Sequence, residues 1–167
     1  MKSTSNIRFL PAQEEDYLAI KEIYDYYILH STATFHTEPI TIKELKEFMY
    51  TDHPIYKTFL INVEETLAGY CYYSFYKKRQ AYNRTAEITI YLKPEFTGKG
   101  IGKKSIHFLE SEALKFGIRN FLAVITGNNT ESLKLFEKMC YIKCAHFKNV
   151  GEKFNKILDV VAFQKEI

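Results

Sequence analysis

Thr85-Ala86-Glu87-Ile88-Thr89-Ile90-Tyr91-Leu92-Lys93-Pro94-Glu95-Phe96-Thr97-Gly98-Lys99-Gly100-Ile101-Gly102-Lys103 runs from β-branched residues through a proline to three glycines at alternate positions. The residues from 86 to 92 predict a strand, because branched side chains fit a pleated surface. Pro94 closes it. Beyond the glycines, Ile106, Leu109, Ala113 and Phe116 recur at helical spacing, and Gly117 stands where a helix over 103–116 would stop. The stretch therefore predicts a strand, a tight loop and a helix.

Such a loop has a chemistry of its own. Alternate glycines let the backbone approach a ligand and turn successive N–H groups into one concavity. The helix N-terminus adds unpaired donors and the positive end of its dipole. Lys99, Lys103 and Lys104 add charge. The combination suits a pyrophosphate, although on the loop alone a flexible turn without a ligand stays open. Two nucleotide motifs fail. A Walker A loop would need glycine at Thr97 and Ser or Thr at Lys104, and a dinucleotide fingerprint would need glycine at Lys103.

Working outward, residues 7–10 predict a short strand stopped by Pro11. Ile20, Ile23, Tyr24, Tyr27 and Ile28 predict a helix that ends near Ser31, with Glu14, Glu15 and Asp16 in its first turn. A polar loop over 31–39 surrounds Phe35. Thr41 and Glu44 form a capping-box pattern for a second helix reaching about Tyr50. Strands follow at 57–63 and 67–76, with a turn at 64–66, and then a basic segment at 77–84. After the central helix come a strand at 120–126, a helix at 130–139, and a strand pair at 141–150 and 154–163 joined near Gly151. Strands that first alternate with helices and then pair give a mixed α/β (α+β) sheet. Without repeats or linkers, residues 1–167 read as one domain.

Composition narrows the function classes. Of 167 residues, 46% are hydrophobic, enough for a real core. Thirteen Tyr and 13 Phe are too many rings for that core alone, so some are expected to line a pocket or an interface. A net charge of +3 argues against nucleic acid as a partner. Cys71, Cys140 and Cys144 are an odd count without an apolar leader, which points to reduced thiols and a cytoplasmic protein. Cys140 and Cys144 lack a second ligand pair, so no metal is expected. No segment is long and apolar enough to predict a membrane span.

Two segments in order carry a resemblance. Thr97-Gly98-Lys99-Gly100-Ile101-Gly102 resembles the Gln/Arg-x-x-Gly-x-Gly/Ala loop of the GNAT family of N-acetyltransferases, with Thr97 in place of the usual first residue. Asn129-Thr130-Glu131-Ser132-Leu133-Lys134-Leu135-Phe136-Glu137-Lys138-Met139-Cys140-Tyr141 is similar to the family's downstream segment. Residues 31–39, 77–82 and 85–92 are further similar to the phosphinothricin acetyltransferase branch, which acetylates the amino group of small amino acids and analogues such as methionine sulfone and sulfoximine. The likeness covers nearly the whole chain. It implies a mostly antiparallel twisted sheet flanked by helices, acetyl-CoA as cosubstrate, and a homodimer.

The resemblance also implies residue roles. Glu87 falls on the branch's catalytic glutamate; on the residues alone it is a carboxylate in an apolar strand, with an outward-facing position as the alternative. Ile90, Tyr91 and Leu92 would hold the pantetheine arm through their backbone, and Gly98, Lys99, Gly100, Ile101, Gly102 and Lys103 the pyrophosphate. Asn129 would contact the same arm, with a helix N-cap as its other reading. Phe35, Lys77, Lys78, Arg79, Tyr82, Ile88 and Thr89 would bind the acceptor together with Glu87, Arg79 pairing with a carboxylate. His36 reads as a surface residue. Phe136 stands where relatives carry a Tyr or His able to protonate the leaving thiolate, and Cys140 where they carry glycine. Another amine acceptor (a polyamine, an aminoglycoside, a protein N-terminus) and a non-catalytic CoA-binding module remain alternatives.

Overall fold

A computed structural model describes residues 6–167. Residues 1–5, where the stretch read as lacking a leader begins, lie outside the described residues. The elements in chain order are β1 (Ile7–Pro11), α1 (Tyr17–His30), α2 (Ile42–Leu45), β2 (Lys57–Val63), β3 (Thr66–Phe75), β4 (Thr85–Leu92), α3 (Ile101–Leu114), β5 (Asn120–Thr126), α4 (Thr130–Lys138), β6 (Ile142–Lys153) and β7 (Lys156–Glu166). The strands form one sheet in the order β1-β2-β3-β4-β5-β7-β6. Of the neighbouring pairs, β4 and β5 alone are parallel, since the loop and α3 carry the chain back across the sheet between them. This is the expected mixed, mostly antiparallel α/β architecture. No helix among the described residues is long and apolar enough to cross a membrane.

Alternation along β4 divides the molecule. Ala86, Ile88, Ile90 and Leu92 join the core under α3, with Ile101, Ile106 and Leu109. On the opposite face Tyr91 packs against a second cluster, in which Tyr70 and Tyr72 of β3 meet Ile20, Tyr24 and Ile28 of α1. Helices therefore cover both faces, and β3 and β4 are packed by α1 on one side and α3 on the other.

Three expectations need correction. The second helix stops at Leu45 instead of reaching Tyr50. Its capping box forms as expected, with the Glu44 N–H donating to Thr41 Oγ1 at 3.2 Å and the Thr41 N–H to Glu44 Oε2 at 2.7 Å. Beyond Leu45 the chain continues as turns, with the Glu47 N–H donating to the Glu44 carbonyl at 3.1 Å; Leu45 and Met49 are both buried, and the Met49 carbonyl accepts from the Tyr17 hydroxyl at 2.8 Å. The last hairpin turns at Phe154 and Asn155, both left-handed with φ of 53° and 56°, and Gly151 lies inside β6. A Cβ there would lie 2.3 Å from the Phe35 ring, so the glycine lets that ring sit against the strand. Finally, β3 spans Thr66–Phe75 instead of 67–76: Tyr70, Tyr72 and Tyr73 are buried within the chain, and Tyr76, just beyond its end, is exposed.

Gly69 sets the spacing of β3 and β4. It pairs with Leu92, and a Cβ on it would come within 2.2 Å of the Tyr91 carbonyl oxygen. Gly69→Ala should therefore destabilise the fold by about 1–3 kcal/mol, the usual cost of overpacking. Equilibrium denaturation measures it, and an unchanged midpoint would count against this close approach.

Candidate active site

The site begins where two strands part. β4 and β5 share three register pairs, Thr85 with Asn120, Ala86 with Phe121 and Glu87 with Leu122. Beyond Glu87, β4 stays with β3 as far as Leu92, and β5 stays with β7 as far as Thr126. The facing edges of 88–92 and 123–126 are thus left without strand partners on that side, and buried backbone groups of this kind need another partner. The Tyr27 hydroxyl donates to the Leu92 carbonyl and fixes the end of β4.

The glycine-rich loop lies at the open end of the parting. Gly98 and Gly100 are left-handed, with φ of 70° and 78°, and a Cβ on either would meet nothing within 4 Å. Backbone conformation, not space, demands glycine at both. Gly100 is the N-cap of α3, and no side chain caps the helix, so its first-turn N–H groups are available. Gly102 serves packing instead, because a Cβ there would lie 2.8 Å from the Leu135 side chain of α4. Lys99, Lys103 and Lys104 are exposed around these donors. Thr97 turns its hydroxyl to the Pro94 carbonyl at 2.8 Å.

A cleft of about 420 Å³ opens on the α1 face beside Glu87. Glu87, Thr89 and Tyr91 enter it from β4, Tyr72 and Ser74 from β3, and Thr34, Phe35 and His36 from the loop after α1. Glu87 stands opposite Ser74 in register. Burial pushes its carboxyl up to about 7, because a charge is disfavoured away from water. No Lys or Arg lines the cleft, and Glu87 is the one carboxylate among its lining residues. Its polar wall is ordered by Tyr24, whose hydroxyl lies 2.7 Å from Thr34 Oγ1 and 2.6 Å from His36 Nδ1. Thr126 at the end of β5 donates to the Thr32 carbonyl at 2.6 Å, tying this loop to the parting.

Of the residues singled out in the sequence, Phe35, Glu87, Thr89 and Tyr91 meet in the cleft. The side chains of Ile88, Ile90 and Leu92 lie in or against the core on the other face. Lys77, Lys78, Arg79 and Tyr82 sit on the β3–β4 connection and do not line the cleft. Lys77 lies over the Tyr76 and Tyr82 rings, and Lys78 lies 6.0 Å from the centroid of Phe75, which does line it. Asn129 caps α4, its Oδ1 accepting from the Ser132 N–H at 3.3 Å. Phe136 is buried edge-on to Tyr141. Cys140 is left-handed, with φ of 65°, a conformation that favours glycine.

Tyr24, Thr34, Tyr72 and Ser74 escaped the sequence reading, and His36 read as surface is exposed yet bound to Tyr24. Tyr72 and Ser74 share the two-residue period of β3 that faces Glu87, a signal visible only once the register is known.

The Acetyltransferase (GNAT) family model matches residues 20–140. The chain belongs to the GNAT acetyltransferase family. It is 30% identical to the phosphinothricin N-acetyltransferase of Streptomyces viridochromogenes over 96% of this chain and 87% of that one. It is 26% identical to the L-methionine sulfoximine/L-methionine sulfone acetyltransferase of Salmonella typhimurium, over 96% and 94%. The crystal structure of a GNAT superfamily phosphinothricin acetyltransferase from Sinorhizobium meliloti, in complex with AcCoA, superposes with a TM-score of 0.86 at 29% identity, covering 98% of this chain and 89% of that one. This GNAT chain is an N-acetyltransferase of the phosphinothricin-like branch.

Holding Glu87 in this GNAT cleft has a cost in stability. Its carboxyl titrates at 4.5 ordinarily and at about 7 in the fold, so folding takes up a proton between those values. The penalty is absent below about pH 4.5, grows as pH rises, and is complete above about pH 7. Glu87→Gln should therefore raise the melting temperature at about pH 8.5, by the equivalent of about 1–3 kcal/mol, and leave it unchanged near pH 4. Thermal unfolding at the two pH values decides; equal shifts at both would remove the buried charge as the cause.

Proposed function

We propose that this chain transfers the acetyl group of acetyl-CoA to the amino group of a small amino acid or analogue of the phosphinothricin, methionine sulfone or methionine sulfoximine type. One observation carries the proposal: the raised carboxyl of Glu87 sits at the last paired position of two parting strands, with the glycine-rich loop at their open end. The relatives' names and the bound AcCoA of the Sinorhizobium enzyme support the choice of substrates.

The residues fit the cosubstrate. The free edges of β4 and β5 offer amide partners for a pantetheine arm, through Ile90, Tyr91 and Leu92 and with Asn129 close to the end of β5. Gly98, Lys99, Gly100, Ile101, Gly102 and Lys103 offer N–H groups and charge for a pyrophosphate. Acetyl-CoA supplies a thioester whose C–S bond breaks as the new N–C bond forms. Glu87 accepts the proton of the acceptor ammonium, directly or through a water, so that a neutral nitrogen attacks. Backbone N–H groups at the end of β4 face the developing oxyanion. Phe136 has no proton to give, so the thiolate takes one from water. No metal enters this scheme.

The acceptor's amino end belongs beside Glu87, among Tyr72, Phe35 and Thr89. Its carboxylate is assigned to the basic connection of Lys77, Lys78 and Arg79, with Tyr82 beside them and the backbone of Ile88 behind. The proposal extends to one domain acting as a homodimer in the cytoplasm, a reducing compartment that suits three free cysteines. The exposed Ile142, Phe147, Val150 and Ile157 of the last hairpin support a subunit contact.

A thiol-release assay over a panel of amines tests the reaction. Methionine sulfone or sulfoximine should be acetylated faster than polyamines or aminoglycosides; tight acetyl-CoA binding without release for any amine would point to a binding module instead. Glu87→Gln should keep acetyl-CoA affinity and lower turnover at least ~100-fold, the scale of a lost general base. Turnover of the wild type should rise with pH through about 7, where the Glu87 carboxyl loses its proton, and the variant should lack that limb. Unaltered turnover in the variant would remove Glu87 from the chemistry.

A further inference from the structure

Lys153, near the end of β6, is 3% exposed, and among the described residues no carboxylate pairs with it. Its ammonium donates to two backbone carbonyls, Ser31 at 2.7 Å and Thr34 at 2.8 Å. Its third contact is the Phe154 ring, whose centroid lies 5.1 Å away. Fully buried lysines are rare without a partner charge, because stripping water from an ammonium is costly. Neutral carbonyls and one ring face repay only part of that, and burial lowers the Lys153 ammonium's affinity for its proton. A methionine, one atom shorter, would occupy most of the space without this cost.

The two carbonyls define what the ammonium does. Ser31 is the C-cap of α1, and Thr34 enters the cleft. Between them the chain has no secondary structure to hold it. Thr34 Oγ1 meets the Tyr24 hydroxyl, which in turn meets His36, and the next residue, Phe35, lies over Gly151 on the same strand as Lys153. One buried charge thus fixes a loop on the far side of the chain, and that loop is the wall of the cleft facing Glu87.

We propose that Lys153 is a positioning residue for the acceptor: by clamping the Ser31 and Thr34 carbonyls it sets the wall formed by Thr34, Phe35 and His36, without touching substrate. The hydrogen bonds of Lys153 go to the 31–34 loop and none to the glycine-rich loop, which puts its main effect on the acceptor side. The inference rests on the proposed acetyl transfer for its kinetic readout but not for its structural one.

The test compares the full-length wild type with Lys153→Met, which removes both the donors and the charge, and with Lys153→Gln, which keeps an N–H donor. Lys153→Met should raise the KM for methionine sulfone at least about tenfold, with the KM for acetyl-CoA changed by less than about twofold. Amide hydrogen exchange of 32–36 should quicken while that of β3 and β4 stays protected. Lys153→Gln should fall between, and it stands in if Lys153→Met does not fold. Equal losses for acceptor and acetyl-CoA, or uniform loss of exchange protection, would overturn the proposal in favour of a general structural role. Unchanged exchange at 32–36 would overturn it outright. If the wild type acetylates no amino acid, the proposed function falls, while the exchange comparison still decides whether Lys153 holds the loop.

Discussion

The constraint on which the structure depends is the short pairing of β4 with β5. Three parallel register pairs hold them, and then each strand follows its other neighbour. Two sheet edges in the middle of a domain would ordinarily be an uncompensated loss of hydrogen bonds. Here they lie at the one parallel pair in the sheet, where the chain leaves β4 and returns after α3. Ligands of mixed sheets gather at such switch points because loops and helix N-termini converge there. Hence the left-handed Gly98 and Gly100, the uncapped start of α3 and the carboxylate of Glu87 all lie within reach of one opening.

The two faces of β4 separate two tasks. Even-numbered residues from Ala86 to Leu92 are committed to the core beneath α3, which makes the strand rigid. Odd-numbered residues are free for chemistry, and Glu87, Thr89 and Tyr91 all face the cleft. An aromatic wall around one carboxylate keeps water away and raises its proton affinity. That places the titration of Glu87 in the range a base needs at neutral pH.

How legible this was depended on distance along the chain. The glycine-rich loop, the strand before it and the capping box at Thr41 are local patterns, and the structure has them where the spacing predicts. Glu87 was legible because a carboxylate in a β-branched run breaks the pattern. Tyr24, Thr34, Ser74 and Lys153 were not, since each matters through a partner far away in sequence. Lys153 donates to carbonyls of residues 31 and 34, and no spacing rule connects them. Gly151 misled for the same reason: a glycine near a hairpin suggests a turn, whereas the Phe35 ring is what excludes a Cβ.

The brief junction between β4 and β5 also bears on how the chain folds. Strands β2 to β4 pair with sequence neighbours, and so do β6 and β7, through antiparallel contacts of low sequence separation, while β1 joins β2 across α1 and α2. Such contacts form quickly, whereas a parallel pair must await its crossover. The amino-terminal meander and the carboxy-terminal hairpin are therefore joined by a seam of three ladder pairs together with β5–β7 and the helix α3 that spans them. The Glu87 carboxylate stands on that seam. Its geometry is completed only when the two halves dock, so a chain with only one half folded carries Glu87 but no active site.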